Sequence, residues 1–374
     1  MFCRTFKVLA IMVVTAAIEF PLAADGGPVL PEPTGNHTVG RITYYLMDSA
    51  RNDERGTQKD HKREFMVQVW YPAQPGSKGK PAAWLLPEWV RLGNNYSDLL
   101  AKSRDPLARK DVDKFLASIV VHAQEDVPVA SSPKPFPVIL LAPGSMSFPS
   151  KYTSLAEDLA SHGFIVVGDA PVGNGIKVPF PAGNVTEGYR GDMFALWAGD
   201  LIYEIDQLKV WNETQGHLFY GRLDLERIGA FGHSAGGLIV ARIPRMDKRV
   251  KAIALLDPGY VRPEDGEAIP MLILSSDHGD SPHARYRAKL ENEYLQKAKP
   301  GIQMKLFGAE HASFTDLAVI PAFDRPSDGK ALNDTTRAVL RAFFGQYLLG
   351  THSELLVKWS AKYPRLAIEQ NPEY

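Results

Sequence analysis

Short apolar segments alternate with helix-like segments along most of the chain, and this alternation is the strongest constraint on its fold. Strands that are apolar along their whole length are buried on both faces, as in parallel sheets covered by helices. The predicted strands, eight in all, are 41–47, 64–71, 137–142, 164–168, 227–231, 250–256, 270–275 and 303–307. The sequence therefore predicts an α/β fold with a mostly parallel, eight-stranded sheet flanked by helices.

Helices are predicted where apolar residues recur with helical spacing between the strands. Asp192 is the predicted N-cap of the second of them. The predicted helices cover about 152–162, 194–208, 235–240, 283–298 and 334–349.

The segment 74–134 interrupts this alternation and is predicted to be an insertion between the second and third strands. Its apolar residues include Trp84, Leu85, Leu86, Trp89, Leu99 and Leu100. Two interpretations stay open at this point. Either these side chains pack a covering subdomain onto the sheet, or some of them line an acyl pocket or touch a lipid surface.

The N-terminus has the features of a secretory signal peptide, predicted as residues 1–24. Arg4 and Lys7 precede an apolar run, and Ala23 and Ala24 supply the small residues of a cleavage site. The apolar run is too short to cross a bilayer. The mature chain is then predicted to span 25–374.

Composition excludes several classes of protein. The single cysteine, Cys3, lies in the predicted signal peptide, so the mature chain has no disulfide, thiolate nucleophile or cysteine zinc site. The 42 Lys and Arg residues balance 43 Asp and Glu residues, and no nucleic-acid partner is predicted. Sequons for N-glycosylation, together with the signal peptide, predict a protein that is secreted through a eukaryotic secretory pathway and is extracellular. The sequons are at Asn36, Asn95, Asn184, Asn212 and Asn333.

The strongest chemical signal is the pattern Gly-x-Ser-x-Gly from Gly232 to Gly236, with Ser234 at its centre. It follows a short apolar strand and precedes a run of small residues, which is the setting of a nucleophile elbow. Glycine is needed on both sides because the turn strains the serine backbone and packs closely against neighbouring backbone. Ser234 is therefore the predicted nucleophile.

A serine nucleophile needs a histidine base, and the base needs a carboxylate that holds its tautomer. In sites built on this elbow the chain order is serine, acid, histidine. Asp257 ends the strand 250–256 and is the predicted acid, with Asp277 after the next strand as its rival. His311 follows the last strand and is the predicted base. The histidines with weaker claims are His162, His233, His278 and His283.

The oxyanion of a tetrahedral intermediate needs hydrogen-bond donors that are already in place. The predicted donors are the backbone N–H groups of Ser145 and Ala235, because Pro143 has none and Gly144 permits the turn. This chemistry requires no cofactor. No metal site is predicted either, because no ligand spacing matches the group Asp277, His278, Asp280 and His283.

With these residues placed, the chain resembles the plasma and intracellular type II platelet-activating factor acetylhydrolases, a branch of the α/β-hydrolases. The most specific match is Tyr152-Thr-Ser-Leu-Ala-Glu-Asp-Leu-Ala-Ser-His-Gly-Phe-Ile-Val-Val167, and shorter matches are 69–72, 228–234 and 311–316. The catalytic serine, aspartate and histidine of the family fall on Ser234, Asp257 and His311. The number of residues between the serine and the aspartate is the same as in the family, which favours Asp257 over Asp277.

The resemblance implies a single α/β-hydrolase catalytic domain over 25–374. It also implies a serine esterase that hydrolyses short or oxidised sn-2 acyl esters of phospholipids, with peripheral contact with lipid surfaces. The chain departs from the family pattern at Pro143, at Ala235 and at 258–260, around the expected acyl pocket. The alternative is therefore a secreted carboxylesterase acting on other small esters. A catalytically silent binding protein is disfavoured because serine, acid and histidine are all present.

Overall fold

The computed structural model describes residues 27–52, 62–91, 105–173, 175–180, 183–185, 193–323, 328–358 and 360–370. The predicted signal peptide, Asn95, Leu99, Leu100 and Asp192 lie outside these residues. The strands are β1 (Thr38–Asn52), β2 (Lys62–Ala73), β3 (Lys80–Ala83), β4 (Val120–Glu125), β5 (Phe136–Ala142), β6 (Ile165–Ala170), β7 (Val178–Phe180), β8 (Gly183–Val185), β9 (Leu223–His233), β10 (Val250–Leu256), β11 (Met271–Ser276), β12 (Gly301–Leu306) and β13 (Leu366–Gln370).

The helices are α1 (Pro87–Arg91), α2 (Pro106–Lys110), α3 (Val112–Ser118), α4 (Thr153–Ser161), α5 (Met193–Glu213), α6 (Ala235–Val240), α7 (Ile243–Met246), α8 (Pro282–Leu295) and α9 (Gly329–Leu349). Each of the five predicted helices corresponds to one of these, namely α4, α5, α6, α8 and α9. In the described part of the chain, no helix combines the length and the apolar character needed to cross a bilayer.

Among the described residues, eleven strands form one sheet in the order β13-β12-β11-β10-β9-β5-β6-β2-β1-β4-β3, and β7 pairs separately with β8. The central block β12-β11-β10-β9-β5-β6 is parallel throughout. On either side, β2 and β13 join this block antiparallel. The prediction of a mostly parallel α/β sheet is confirmed, and all eight predicted strands lie in it.

The predicted number of strands is too low, because the described part of the chain has three further strands towards the edges of this sheet. β3 and β4 pair antiparallel within the predicted insertion and continue the sheet beyond β1. β13 pairs antiparallel with β12 at the opposite edge. Strands near an edge expose part of their surface, and β4 accordingly mixes buried and exposed positions. Such strands lack the long apolar run by which buried strands are recognised.

The insertion packs as part of the core. Trp84, Leu85 and Trp89 are each no more than 2% exposed, and Leu86 is half-buried. The Trp89 ring lies 4.8 Å from the ring of Phe148, measured between centroids. The interpretation that these tryptophans face a lipid surface is therefore wrong. Burial in the core beside the carboxyl edge of the sheet accounts for them.

The parallel block decides where the predicted functional residues meet. Carboxyl ends of parallel strands lie at one edge of a sheet, where the following loops converge. β5 ends at Ala142, β9 at His233, β10 at Leu256 and β12 at Leu306. The loops after these four strands carry an oxyanion donor, the nucleophile, the acid and the base predicted from the sequence.

The predicted glycosylation sites differ in their exposure. Asn36 is exposed. Asn212 is half-buried, and its side chain bonds both the N–H and the carbonyl of Leu223. Asn333 is 1% exposed within α9 and donates to Ser154 Oγ. A glycan on Asn333 does not fit this fold, so that prediction is wrong, since a sequon carries no information on burial.

Candidate active site

Ser234 has the strained backbone that a nucleophile elbow requires. It lies between β9 and α6 with φ 55° and ψ −121°, a conformation that residues with side chains rarely adopt. Close packing explains the flanking glycines. A Cβ on Gly232 would lie 2.3 Å from the carbonyl oxygen of Gly236, and one on Gly236 would lie 2.1 Å from that of Ala142. The turn holds the Ser234 side chain at the carboxyl edge of the sheet, half-buried.

Ser234, His311 and Asp257 form a continuous hydrogen-bonded chain. Ser234 Oγ lies 2.9 Å from His311 Nε2, and His311 Nδ1 lies 2.5 Å from Asp257 Oδ2. Because an ionised carboxylate only accepts, Nδ1 carries a proton and donates it, which leaves Nε2 to accept from the serine hydroxyl. The His311 side chain is 53% exposed, whereas that of Asp257 is 0% exposed. A substrate can therefore reach the base but not its carboxylate.

Asp257 is fixed through both of its carboxylate oxygens. Its φ of 43° makes it a second strained residue at this edge. While Oδ2 faces His311, Oδ1 accepts from Ser276, His278 and Arg287. Burial opposes ionisation, but hydrogen bonds from both histidines and the charge of Arg287 hold the pKa of Asp257 well below its usual range. Asp257 is thus a permanent negative charge behind His311.

The rival acid, Asp277, does not reach the base. It is exposed just beyond β11, and its carboxylate accepts from the backbone N–H of Gly279. The residues on either side of it, Ser276 and His278, donate to Asp257 instead. The structure therefore brings Asp257 to His311.

A buried relay connects the loop after β5 to the loop that carries His311. The N–H of Gly144 donates to Tyr152 Oη at 2.9 Å, and Tyr152 Oη lies 2.9 Å from His233 Nδ1. His233 Nε2 lies 2.9 Å from the carbonyl oxygen of His311. Since that carbonyl only accepts, Nε2 carries the proton of His233 and Nδ1 accepts from the tyrosine hydroxyl.

His233 stays neutral in this relay. Burial, together with the neighbouring His311, lowers the pKa of His233 to about 3. An imidazole that does not bind a proton at working pH and has no contact with Ser234 Oγ is not a general base. The relay instead holds two loops of the site at a fixed separation.

The predicted oxyanion donors lie beside the nucleophile. A Cβ built on Gly144 would lie 3.3 Å from the Cβ of Ser234, so this loop passes next to the elbow. The N–H of Gly144 is occupied by Tyr152, and Pro143 has none, which leaves Ser145 as the next donor along the loop. Ser145 is exposed and Ala235 is half-buried at the start of α6. The role of these two N–H groups as oxyanion donors stays a prediction.

A second buried carboxylate, Asp316, anchors the loop that carries His311. It accepts from the backbone N–H groups of Thr153 and Ser154 at the start of α4, and from the hydroxyl of Ser154. Trp84 of the insertion donates its indole N–H to the same carboxylate at 3.0 Å. Burial raises the pKa of Asp316 to about 7. This residue joins the base loop, α4 and the insertion into one unit.

Of the four histidines with weaker claims, His233 and His278 contact members of the triad. The other two bond residues outside it. His162 bonds Thr34, and His283 faces Tyr260. Within the described ranges, no group of three or more His, Cys, Asp or Glu residues is arranged to hold a metal ion.

Sequence reasoning missed three residues of this site, namely Tyr152, Arg287 and Asp316. Each acts through a contact with an element far away in the chain, such as the bond from Arg287 to Asp257. Tyr152 begins one of the segments that carry the family resemblance, and Asp316 ends another. That resemblance was the signal that could have pointed to them. Nothing in periodicity or motif points to Arg287.

Known proteins resemble the chain in sequence and in fold. The family described as platelet-activating factor acetylhydrolase, isoform II, matches residues 22–169. A platelet-activating factor acetylhydrolase from Cavia porcellus is 28% identical over 345 residues, covering 80% of this chain and 71% of that protein. The solved structure of a ferulic acid esterase from Streptomyces cinnamoneus has a TM-score of 0.74 and 24% identity, covering 92% of this chain and all of that one. The structural likeness shows the α/β-hydrolase fold, and over the matched residues the sequence is similar to platelet-activating factor acetylhydrolases.

Proposed function

We propose that the protein is a serine esterase that hydrolyses short or oxidised sn-2 acyl esters of phospholipids through an acyl-enzyme. The hydrogen-bonded chain from Ser234 through His311 to Asp257, on a strained elbow, is the observation that carries this proposal. The family relatives support an ester hydrolase, and the Cavia porcellus relative is itself named an acetylhydrolase.

In the first half-reaction, His311 Nε2 takes the proton of the Ser234 hydroxyl while Oγ attacks the ester carbonyl. The N–H groups of Ser145 and Ala235 bind the oxyanion of the tetrahedral intermediate. When this intermediate collapses, the imidazolium returns its proton to the departing lysophospholipid alcohol. The short acyl group stays on Ser234 as an ester.

In the second half-reaction, His311 deprotonates a water molecule that attacks the acyl-enzyme. The intermediate collapses with return of the proton to Ser234 Oγ and release of a short carboxylic acid. Asp257 acts in both halves, because its negative charge stabilises the imidazolium that each proton transfer creates. No step requires a cofactor.

The setting of this reaction is proposed to be extracellular. The predicted signal peptide over residues 1–24 supports export, and the exposed sequon at Asn36 supports a glycosylating pathway. Phospholipid substrates lie in membranes or lipid particles, so the enzyme would work in peripheral contact with a lipid surface. Mass analysis of protein secreted by a eukaryotic host tests this, with an N-terminus at Asp25 and a glycan on Asn36 expected.

The second candidate is a carboxylesterase acting on other small esters. It is favoured by the departures from the family at Pro143, at Ala235 and after the acid, and by the fold shared with a ferulic acid esterase. These positions lie around the nucleophile, so they determine which acyl groups fit beside Ser234.

A matched panel of esters separates the two candidates. Phosphatidylcholines with acetyl, oxidatively shortened and palmitoyl groups at sn-2 are compared with methyl ferulate and a simple aryl acetate, with Ser234→Ala as the control. We expect kcat/KM for the short-chain phospholipids to exceed that for ferulate by at least about tenfold, with palmitoyl ester resistant. Preference for ferulate or the aryl ester would establish the second candidate. Equal turnover by wild type and Ser234→Ala would overturn both.

A further inference from the structure

The two oxygens of the Asp257 carboxylate have very different surroundings. Oδ2 contacts His311 Nδ1. Oδ1 receives the N–H of Ser276 at 2.9 Å, its hydroxyl at 3.0 Å, His278 Nε2 at 2.8 Å and Arg287 Nη2 at 3.0 Å. Four donors on one oxygen prevent the carboxylate from rotating, so the other oxygen keeps its direction towards the base.

Arg287 is itself held by a second carboxylate. On α8, its Nε donates to Glu291 Oε1 at 2.8 Å, while Nη2 reaches back to Asp257. The Arg287 side chain is 13% exposed and that of Glu291 is 3% exposed. Gln303 on β12 donates to the other oxygen of Glu291 at 3.2 Å. Arg287 therefore links Asp257 to Glu291 on α8, and Glu291 is in turn held by Gln303 on β12.

His278 is the second side chain, besides Arg287, that comes from beyond β11 to bond Asp257 Oδ1. It follows β11, and its side chain is 33% exposed. The Nε2 atom donates to Asp257 Oδ1, and Asp257 then accepts from two histidines at once, one on each oxygen.

The charge of Arg287 has a second consequence. A fixed cation bonded to Asp257 offsets part of the negative charge that would stabilise protonated His311. Replacing Arg287 with a neutral residue therefore leaves more of the Asp257 charge to stabilise the protonated base. The charged or titratable groups that contact His311, Asp257 or Arg287 include His233 at the end of β9, His278 and Glu291. Lys305 on β12 interacts electrostatically with Glu291.

We propose that Arg287 and His278 are positioning residues for the acid: together they fix the orientation of Asp257, and Arg287 sets the lower pH limit of the reaction. This proposal rests on the proposed serine esterase function. Neither residue touches the substrate in this account, because both act through Asp257.

Two charge variants on the same helix test the role of Arg287. Arg287→Met removes the cation at the acid, whereas Arg285→Met removes a cation two residues earlier that pairs with exposed Asp280 at the surface. For Arg287→Met, we expect the acid limb of the kcat/KM profile to move to higher pH by about half to one unit. Arg287→Lys keeps the positive charge, so its acid limb should lie close to that of wild type. Superimposable profiles for wild type, Arg287→Met and Arg285→Met would overturn the proposal.

Two histidine variants test the hydrogen bond without disturbing the buried arginine. His278→Leu removes one donor from Asp257 Oδ1 and is expected to lower kcat about fivefold, which corresponds to one ordinary hydrogen bond. KM should stay close to that of wild type. His283→Leu, in the same exposed stretch but facing Tyr260, should leave kcat unchanged. Equal kcat for His278→Leu and wild type would remove His278 from the proposal.

A readout independent of turnover separates failure of this proposal from failure of the esterase function. Histidine-ring NMR follows the titration of His311 directly, with its signal assigned by the spectrum of His311→Gln. The midpoint should move to higher pH in Arg287→Met and not in Arg285→Met. If wild type hydrolyses no ester but the midpoint moves, the esterase function fails and the charge effect of Arg287 stands. If the enzyme is active and the midpoint does not move, the role assigned to Arg287 is wrong.

Discussion

The tyrosine hydroxyl at the centre of the buried relay gives the sharpest test of how the loops of the site are held. In Tyr152→Phe, the N–H of Gly144 loses its acceptor and His233 Nδ1 loses its donor. Each of these groups is buried, and each costs about 1 to 3 kcal/mol when left without a partner. The free energy of unfolding should therefore fall by about 2 to 6 kcal/mol.

The same change should affect catalysis, because Gly144 precedes the proposed oxyanion donor Ser145. A loop that is free to shift places this donor less accurately, and loss of one such donor costs about a hundredfold in kcat. We expect kcat to fall by about tenfold to a hundredfold, since the donor is misplaced and not removed. KM should change little, because the donor acts mainly in the transition state.

Tyr71→Phe is the matched control. Tyr71 is also buried, and its hydroxyl donates to the carbonyl of Val127 at 2.7 Å, away from the catalytic residues. Denaturant unfolding and steady-state ester hydrolysis are measured on both variants. Tyr71→Phe should lose stability without losing kcat. If Tyr152→Phe also lost only stability, the relay would be a packing feature, and the coupling of the two loops would be refuted.

Three further predictions follow from other parts of the structure. Burial raises the pKa of Glu157 to about 7, above its unfolded value of 4.5, so its ionisation opposes folding as pH rises through this range. The free energy of unfolding of wild type should fall by up to about 3 kcal/mol as pH rises from 4.5 to about 7. In Glu157→Gln, unfolding measured at several pH values should show a free energy that depends less on pH. Trp89→Ala should lower the free energy of unfolding by about 3 to 5 kcal/mol and leave liposome binding unchanged. Asp257→Asn should reduce kcat by about a thousandfold or more, whereas Asp277→Asn should keep most of it.

The parts of the fold that could be predicted are those in which burial is complete. β10 was predicted with its observed bounds, because every position but one is buried and the strand ends directly at Asp257. β4 was missed because it mixes buried and exposed positions and lies near the edge of the sheet. A pattern of apolar residues reports burial on both faces of a strand, and strands near an edge do not have it.

The candidate site shows the same division. Ser234 and its glycines could be named from the sequence because the elbow imposes backbone geometry that only certain residues tolerate. His311 and Asp257 followed from strand order, which fixes the edge at which loops meet. Arg287, the Tyr152 relay and the burial of Asn333 depend on side-chain contacts between distant segments, and no local pattern encodes such contacts.

The central claim is that Ser234 is a nucleophile activated by His311, and covalent labelling with a fluorophosphonate tests it most directly. The rate of labelling is followed by intact-protein mass, and the modified peptide is identified in wild type, Ser234→Ala and His311→Ala. We expect one adduct on Ser234 in wild type, none in Ser234→Ala, and labelling at least about a thousandfold slower in His311→Ala. An adduct on another residue, or wild-type labelling at the rate of His311→Ala, would contradict the account.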